Sequence, residues 1–139
     1  MELVDDADGN VAREISKLLS ADVEAKGLHY QPVPIVLRMA PDGQFAAGLS
    51  GYTLWQWLYI ETLAVASSFQ GQGLGKRLVL EAEAVAQSRH CRGAWVDTFT
   101  FQAPGFYQRL GYQPFGVLEQ FPTPHQRQFL FKWLSPKEA

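Results

Sequence analysis

The spacing of apolar and polar positions changes period several times along the chain. Val11, Ile15, Leu18, Leu19 and Val23 recur at helical spacing and predict an amphipathic helix from about Asp8 to Lys26. Asn10, Asp6 or Asp8 can cap it. Gly27 to Pro34 reads as a loop, and Ile35 to Met39 as a short strand. Pro41-Asp42-Gly43 supplies turn chemistry, and Phe45 to Leu54 returns as a strand, with Gly48 and Gly51 marking bends or close approach. Trp57 to Val65 is nearly all apolar, as a central strand covered on both faces should be, and its one charge is Glu61.

Farther on, Leu74, Leu78, Ala82 and Val85 give a helix over Leu74 to Gln87 its buried side, with Lys76, Arg77, Glu81 and Glu83 facing elsewhere. Gly93 to Phe99 is another strand. Ala103 to Leu110 is a short helix closed by Gly111, and Tyr112 to Leu118 pairs with Gln126 to Leu134 as an antiparallel end. The order α-β-β-β-α-β-α-β-β predicts an α/β domain with a mixed, mostly antiparallel sheet flanked by helices.

Composition narrows the classes. A chain of 139 residues is read as a single domain over 1–139, and its net charge of −2 disfavours a nucleic-acid surface. Cys91 is the one cysteine, and His29, His90 and His125 are scattered without ligand spacing, so neither a disulfide nor a metal site is expected. The acidic start, Met-Glu-Leu-Val-Asp-Asp, has no apolar secretory core, and no run approaches a membrane span. The expectation is a cytoplasmic protein, a monomer or homodimer.

Between the central strand and the next helix lies Phe69-Gln70-Gly71-Gln72-Gly73-Leu74-Gly75-Lys76. Glycines at alternate positions remove Cβ atoms, so backbone N–H groups at the start of a helix can close on an anion. A Walker loop does not fit: Gly71 and Gly75 enclose three residues, and Arg77 follows Lys76. The dinucleotide fingerprint fails as well, because Lys76 and Leu78 stand where its last glycine belongs.

Gln70-x-x-Gly73-x-Gly75 resembles the Arg/Gln-x-x-Gly-x-Gly/Ala signature of the GNAT superfamily of N-acetyltransferases, with the strand end Leu63-Ala64-Val65 five residues upstream. Phe106-Tyr107-Gln108-Arg109-Leu110-Gly111-Tyr112 resembles that family's later Phe/Leu-Tyr-x-x-x-Gly-Phe/Tyr segment. The resemblance covers residues 8 to 134 and implies a GNAT-like fold with acetyl-CoA as acyl donor. It also implies that Gln70, Gly71, Gln72, Gly73, Leu74, Gly75 and Lys76 hold the pyrophosphate. The backbone of Leu63, Ala64 and Val65 would pair with the pantetheine arm and offer an N–H to the oxygen of the tetrahedral intermediate.

Further implications of the resemblance concern the chemistry. Tyr107 matches the tyrosine that protonates the departing thiolate, though a tyrosine on a short helix also serves packing. From the residues themselves, period-2 alternation puts Glu61 on the face of Tyr59 and Leu63. A buried carboxylate is costly unless used or paired, so Glu61 is the candidate base, directly or through a water. A structural salt bridge is the plainer role for a carboxylate on a buried strand, and Asp97 is the second candidate. Many members carry Asn seven residues before the helical tyrosine. Thr100 stands there, which puts that cofactor contact in doubt. Tyr52, Trp55 and Trp57 either line an acceptor pocket or pack as a hairpin tip. The expected activity is acetyl transfer to a primary amine of a small-molecule acceptor. The competing reading is a non-catalytic acyl-CoA-binding module.

Overall fold

The computed structural model describes residues 1–135. It divides into two compact units, Met1–Gln31 and the chain from Pro32 onward.

The first unit is built on helix α1, Asn10–Ala25. Gly9 sets its start with a left-handed backbone, and the capping carboxylate comes from outside the helix. Asp6 accepts hydrogen bonds from the N–H groups of Val11 at 2.8 Å and Ala12 at 3.0 Å, covering donors that the first turn leaves free.

The second unit carries a six-stranded sheet in the order β1-β2-β3-β4-β6-β5. The strands are β1 (Val33–Met39), β2 (Ala47–Leu54), β3 (Trp57–Val65), β4 (Gly93–Phe99), β5 (Gln113–Leu118) and β6 (Arg127–Trp133). Helix α2, Leu74–Ser88, joins β3 to β4, and α3, Pro104–Arg109, joins β4 to β5. The predicted order therefore holds, with element ends shifted by up to two residues. Only β3 and β4 pair in parallel, so the sheet is mixed and mostly antiparallel. No described helix is long and apolar enough to cross a membrane.

The core lies between α2 and one face of the sheet. Leu78, Val79, Ala82 and Ala86 of α2 join Leu49, Leu58, Ile60, Ala94, Val96 and Leu130 in one buried cluster. Glu83 does not face away as its place in the helical pattern predicts. It is 6% exposed, accepts from Tyr112 Oη at 2.8 Å, and pairs with Lys132 Nζ at 2.9 Å. The helix C-terminus closes through His90 in a left-handed conformation (φ 64°), and Cys91 N–H donates to Ala86 O at 2.9 Å before the chain enters the core.

Two irregularities shape the middle of the sheet. Ser50 pairs with Thr62 but Gly51 pairs with Ile60, so Glu61 is the extra residue of a β-bulge in β3. Gly51 permits it: a Cβ there would lie 2.1 Å from the backbone oxygen of Tyr59. The bulge shifts the phase of the strand. Leu63 and Val65 continue the face of Leu58 and Ile60, opposite Leu49 and Ala47 on β2, instead of the face of Tyr59.

The second irregularity is a splay. Parallel pairing between β3 and β4 runs from Trp57–Gly93 to Ile60–Val96 and stops, although both strands continue. Residues 61–65 of β3 remain bonded to β2 on one side only.

Candidate active site

The splay opens a cleft of about 740 Å³. One wall is the free side of β3 with Glu61, Leu63 and Val65, and the opposite wall is β4 from Val96 to Phe99. The glycine loop and the first turn of α2 form one end, with Gln70, Gly71, Gly73, Leu74, Gly75 and Lys76. Phe106 and Tyr107 of α3 close over it. Ala64 and Gln72, expected at the site with these residues, are exposed and do not contribute to the wall.

The loop owes its shape to its glycines. Gly71 and Gly73 have φ of 80° and 76°, a region that L side chains rarely adopt, and nothing lies within 4 Å of where their Cβ atoms would stand. Gly73 is the N-cap of α2 and offers no side-chain cap, so the first N–H groups of the helix are directed at the cleft's end without a protein acceptor among the described residues. Gln70 Nε2 donates to Val65 O at 3.3 Å and ties the loop to the end of β3. Gly75 has a different function: a Cβ there would touch Phe106 at 3.3 Å, so its absence lets α3 sit close. An uncapped helix start, an open glycine loop with Lys76, and a strand with a free edge together fit a long ligand that carries a pyrophosphate.

Tyr107 lines this cleft and is held by the C-terminal turn of α3. Tyr112 N–H donates to Tyr107 O at 3.0 Å, and Gly111, with φ 96°, makes the reversal. The Tyr107 ring is 7% exposed and packs edge-on against Phe106 and Tyr112 at centroid distances of 4.9 and 5.6 Å. Tyr59 and Tyr112 both bond their hydroxyls to carboxylates, at 2.8 Å in each case. The Tyr107 hydroxyl has no hydrogen-bond partner among the described residues, and it belongs to a side chain lining the cleft. Burial, and then the charge of Asp97, pushes its pKa up to about 12. The phenol therefore keeps its proton at neutral pH.

Glu61 is not the buried carboxylate that a strand position predicts. It is exposed, because it is the bulged residue just past the last β3–β4 pair, and it lines the cleft without a hydrogen bond or ion pair from the described residues. The buried carboxylate of the cleft is Asp97, whose side chain is 9% exposed. Asp97 Oδ1 accepts from Tyr59 Oη at 2.8 Å, and Oδ2 accepts from Arg127 Nε at 2.8 Å. Burial and this hydrogen bond push the Tyr59 pKa up to about 12.

The Tyr59–Asp97–Arg127 cluster draws on strands β3, β4 and β6, and Tyr59 and Arg127 were not singled out by the sequence. Asp97 is legible in the sequence as the carboxylate on the strand next to that of Glu61. Arg127 becomes visible only once β6 is registered on β4, opposite Phe99. Thr100 contributes nothing to the cleft wall. Its hydroxyl accepts from Gln126 N–H at 2.9 Å while its own N–H donates to Gln126 O at 3.0 Å. Gln102 lines the cleft instead, with Oε1 taking the Thr98 hydroxyl at 3.0 Å and the Phe99 N–H at 3.1 Å. Tyr52, Trp55 and Trp57 do not line the cleft. Tyr52 packs on Tyr59, which stacks on Trp95 at 4.1 Å, and Trp57 packs on Trp133.

The model of the acetyltransferase (GNAT) family matches residues 10–112. Blasticidin-S acetyltransferase of Streptomyces morookaense is 43% identical over 93 residues, which are 66% of this chain and 68% of that protein. An acetyltransferase of Agrobacterium fabrum is 38% identical over 77 residues, 55% of this chain and 56% of its own length. The crystal structure of an acetyltransferase from Bacillus cereus ATCC 14579 superposes with a TM-score of 0.83 at 27% identity, covering 96% of each chain.

Proposed function

The chain belongs to the acetyltransferase (GNAT) family, and we propose that it moves the acetyl group of acetyl-CoA to a primary amine of a small molecule. The acyl donor is acetyl-CoA, as in the family. When bound, it supplies an acyl carbon activated by a thiol leaving group. The observation that carries the reading is the end of β3–β4 pairing at Ile60–Val96 beside an uncapped glycine loop. The opening leaves residues 61–65 of β3 with an unpaired edge toward β4, and an extended thioester arm fits such an edge by strand addition.

In this reading Gln70 to Lys76 hold the pyrophosphate through backbone N–H groups, the α2 dipole and the Lys76 cation. The free edge of β3 at Leu63 to Val65 bonds the extended arm, and a backbone N–H there stabilises charge on the acyl oxygen. Tyr107 holds a proton where the departing sulfur needs one. Its unpartnered hydroxyl, on a side chain that lines the cleft, supports a donor in preference to a packing residue, and the raised pKa keeps the proton on the phenol. Glu61, open to the cleft, accepts the proton that the amine sheds, directly or through a water. Asp97 is the weaker base, because Arg127 and Tyr59 already occupy its oxygens.

A small-molecule acceptor is supported by the relative that acts on blasticidin-S and by the lack of an acidic tract that would draw a strongly basic protein tail. The family match spans residues in both compact units, which supports one functional domain over 1–139. The test is to incubate the protein with acetyl-CoA and a panel of amines, following thiol release together with product mass. Thiol release matched by a new amide on one amine class is expected. Release no faster than without protein, across all amine classes, contradicts the reading.

A further inference from the structure

Alternation along β4 puts Ala94, Val96 and Thr98 in the core layer and Trp95, Asp97 and Phe99 on the other side of the strand. Val96, Thr98, Asp97 and Phe99 all border the cleft. The cleft therefore reaches from the α2 side, where the glycine loop lies, toward the opposite face, where the walls differ in chemistry.

On that face an aromatic group surrounds one fixed charge pair. The Arg127 guanidinium lies 5.4 Å from the centroid of Phe99 and 5.2 Å from that of Phe121. Phe99 stacks on Phe101 with centroids 5.2 Å apart and an interplanar angle of 21°. Phe101 and Phe121 remain 53% and 41% exposed. Phe99 borders the cleft, and the exposed Phe101 ring stacked on it extends an apolar surface that a flat ligand would cover. Two residues before Phe99 on β4, Asp97 also lines the cleft and accepts three hydrogen bonds, one from Tyr59 and two from Arg127. A carboxylate has about four acceptor positions, so one remains.

We propose that the acceptor carries its amine on, or one carbon from, a flat aromatic ring that lies against Phe99 and Phe101, with Asp97 taking an N–H of that amine. Asp97 is then a positioning group. Arg127 and Tyr59 fix its rotamer, the remaining acceptor position orients the amine nitrogen toward the inner cleft, and the rings exclude acceptors that are puckered or bulky. This deepens the acetyl-transfer reading and rests on it. It assigns a recognition role to a cluster that the transfer chemistry itself does not use.

The probes are benzylamine and cyclohexylmethylamine, which share charge and reach but differ in flatness. Binding is read from chemical-shift titrations of the protein saturated with acetyl-CoA, so turnover is not the readout. Benzylamine should bind about fivefold more tightly, the scale of one aromatic pair. Phe101→Leu, an exposed site whose replacement spares the core, should reduce that preference to less than about twofold while leaving acetyl-CoA affinity unchanged. Asp97→Asn should weaken both amines alike. If Asp97→Asn does not fold, Phe101→Leu alone decides. Equal binding of the two amines, a preference that survives Phe101→Leu, or no shift from either amine overturns the proposal. Failure of acetyl-CoA itself to bind, measured first by calorimetry, would instead overturn the acetyl-transfer reading.

Discussion

Ile60 and Val96 are the last paired residues of the parallel strands β3 and β4, and Glu61 immediately after Ile60 is the bulged residue. The bulge and the end of pairing are one event. An extra residue in β3 rotates the strand away from β4 while its bonds to β2 persist, and Gly51 gives the displaced backbone of Tyr59 the room it needs. Both substrates of the proposed reaction would meet at this point.

The glycine loop should be the determinant of donor affinity. Gly73→Asp puts a carboxylate into open space at the start of α2, and Asp tolerates a positive φ better than most residues. The expected result is loss of acetyl-CoA affinity by more than about tenfold, from charge repulsion at the pyrophosphate, with little change in the melting temperature. Calorimetry on the folded variant checks it. Gly75→Ala should act differently, by pressing on Phe106.

Tyr107→Phe removes the hydroxyl and keeps the ring contacts with Phe106 and Tyr112. Turnover should fall on the order of 10²-fold with acetyl-CoA affinity nearly intact. A rate within about twofold of the parent would leave Tyr107 as packing only. The pH dependence has a defined sign. A donor must be protonated, and a pKa pushed up to about 12 keeps Tyr107 protonated through the mildly alkaline range. The wild-type rate should therefore show no loss from this group near pH 10, where an ordinary phenol with a pKa of about 10 would have halved it.

The two cleft carboxylates should respond oppositely to amidation. Glu61 is exposed and unpaired among the described residues, so Glu61→Gln should leave stability within about 0.5 kcal/mol while lowering the rate most near neutral pH. The loss should recover at high pH, where the free amine is abundant. Asp97→Asn leaves the Arg127 guanidinium without its carboxylate and should cost about 3 kcal/mol of folding free energy. A denaturant melt and a pH–rate profile on each variant separate the roles. A large stability loss for Glu61→Gln with a uniform activity loss would make it scaffold.

These contrasts mark what a single sequence can reveal. The order of elements followed from local periodicity and turn chemistry, and the left-handed turns at Gly71 and Gly73 are conformations that those residues announce themselves. The exposure of Glu61 could not be read locally, because it depends on a register offset between β2 and β3. Glu83 looked like a surface charge because its partners, Tyr112 and Lys132, are far along the chain. The same holds for the bond from Tyr59 to Asp97 and for the position of Arg127 beside both. Polar networks assembled across strands leave no periodic signal.

Glu83 gives a prediction that is purely structural. Glu83→Gln keeps shape and an acceptor for Tyr112 but removes the charge facing Lys132. The cost should reach about 3 kcal/mol at most, since the Lys132 side chain is 24% exposed and can turn toward water. Adding Lys132→Met should recover much of it, as an apolar side chain needs no counter-charge. Denaturant midpoints of the single and double variants measure both effects.

The central claim is that the splay and the glycine loop together hold acetyl-CoA, and amide hydrogen exchange with and without acetyl-CoA tests it most directly. Protection should appear at Leu63 to Val65, from bonds to the free edge of β3, and at Gln70 to Lys76, from bonds to the pyrophosphate. It should vanish from both segments in Gly73→Asp. Binding without protection in either segment, or protection confined to other strands, would contradict the account.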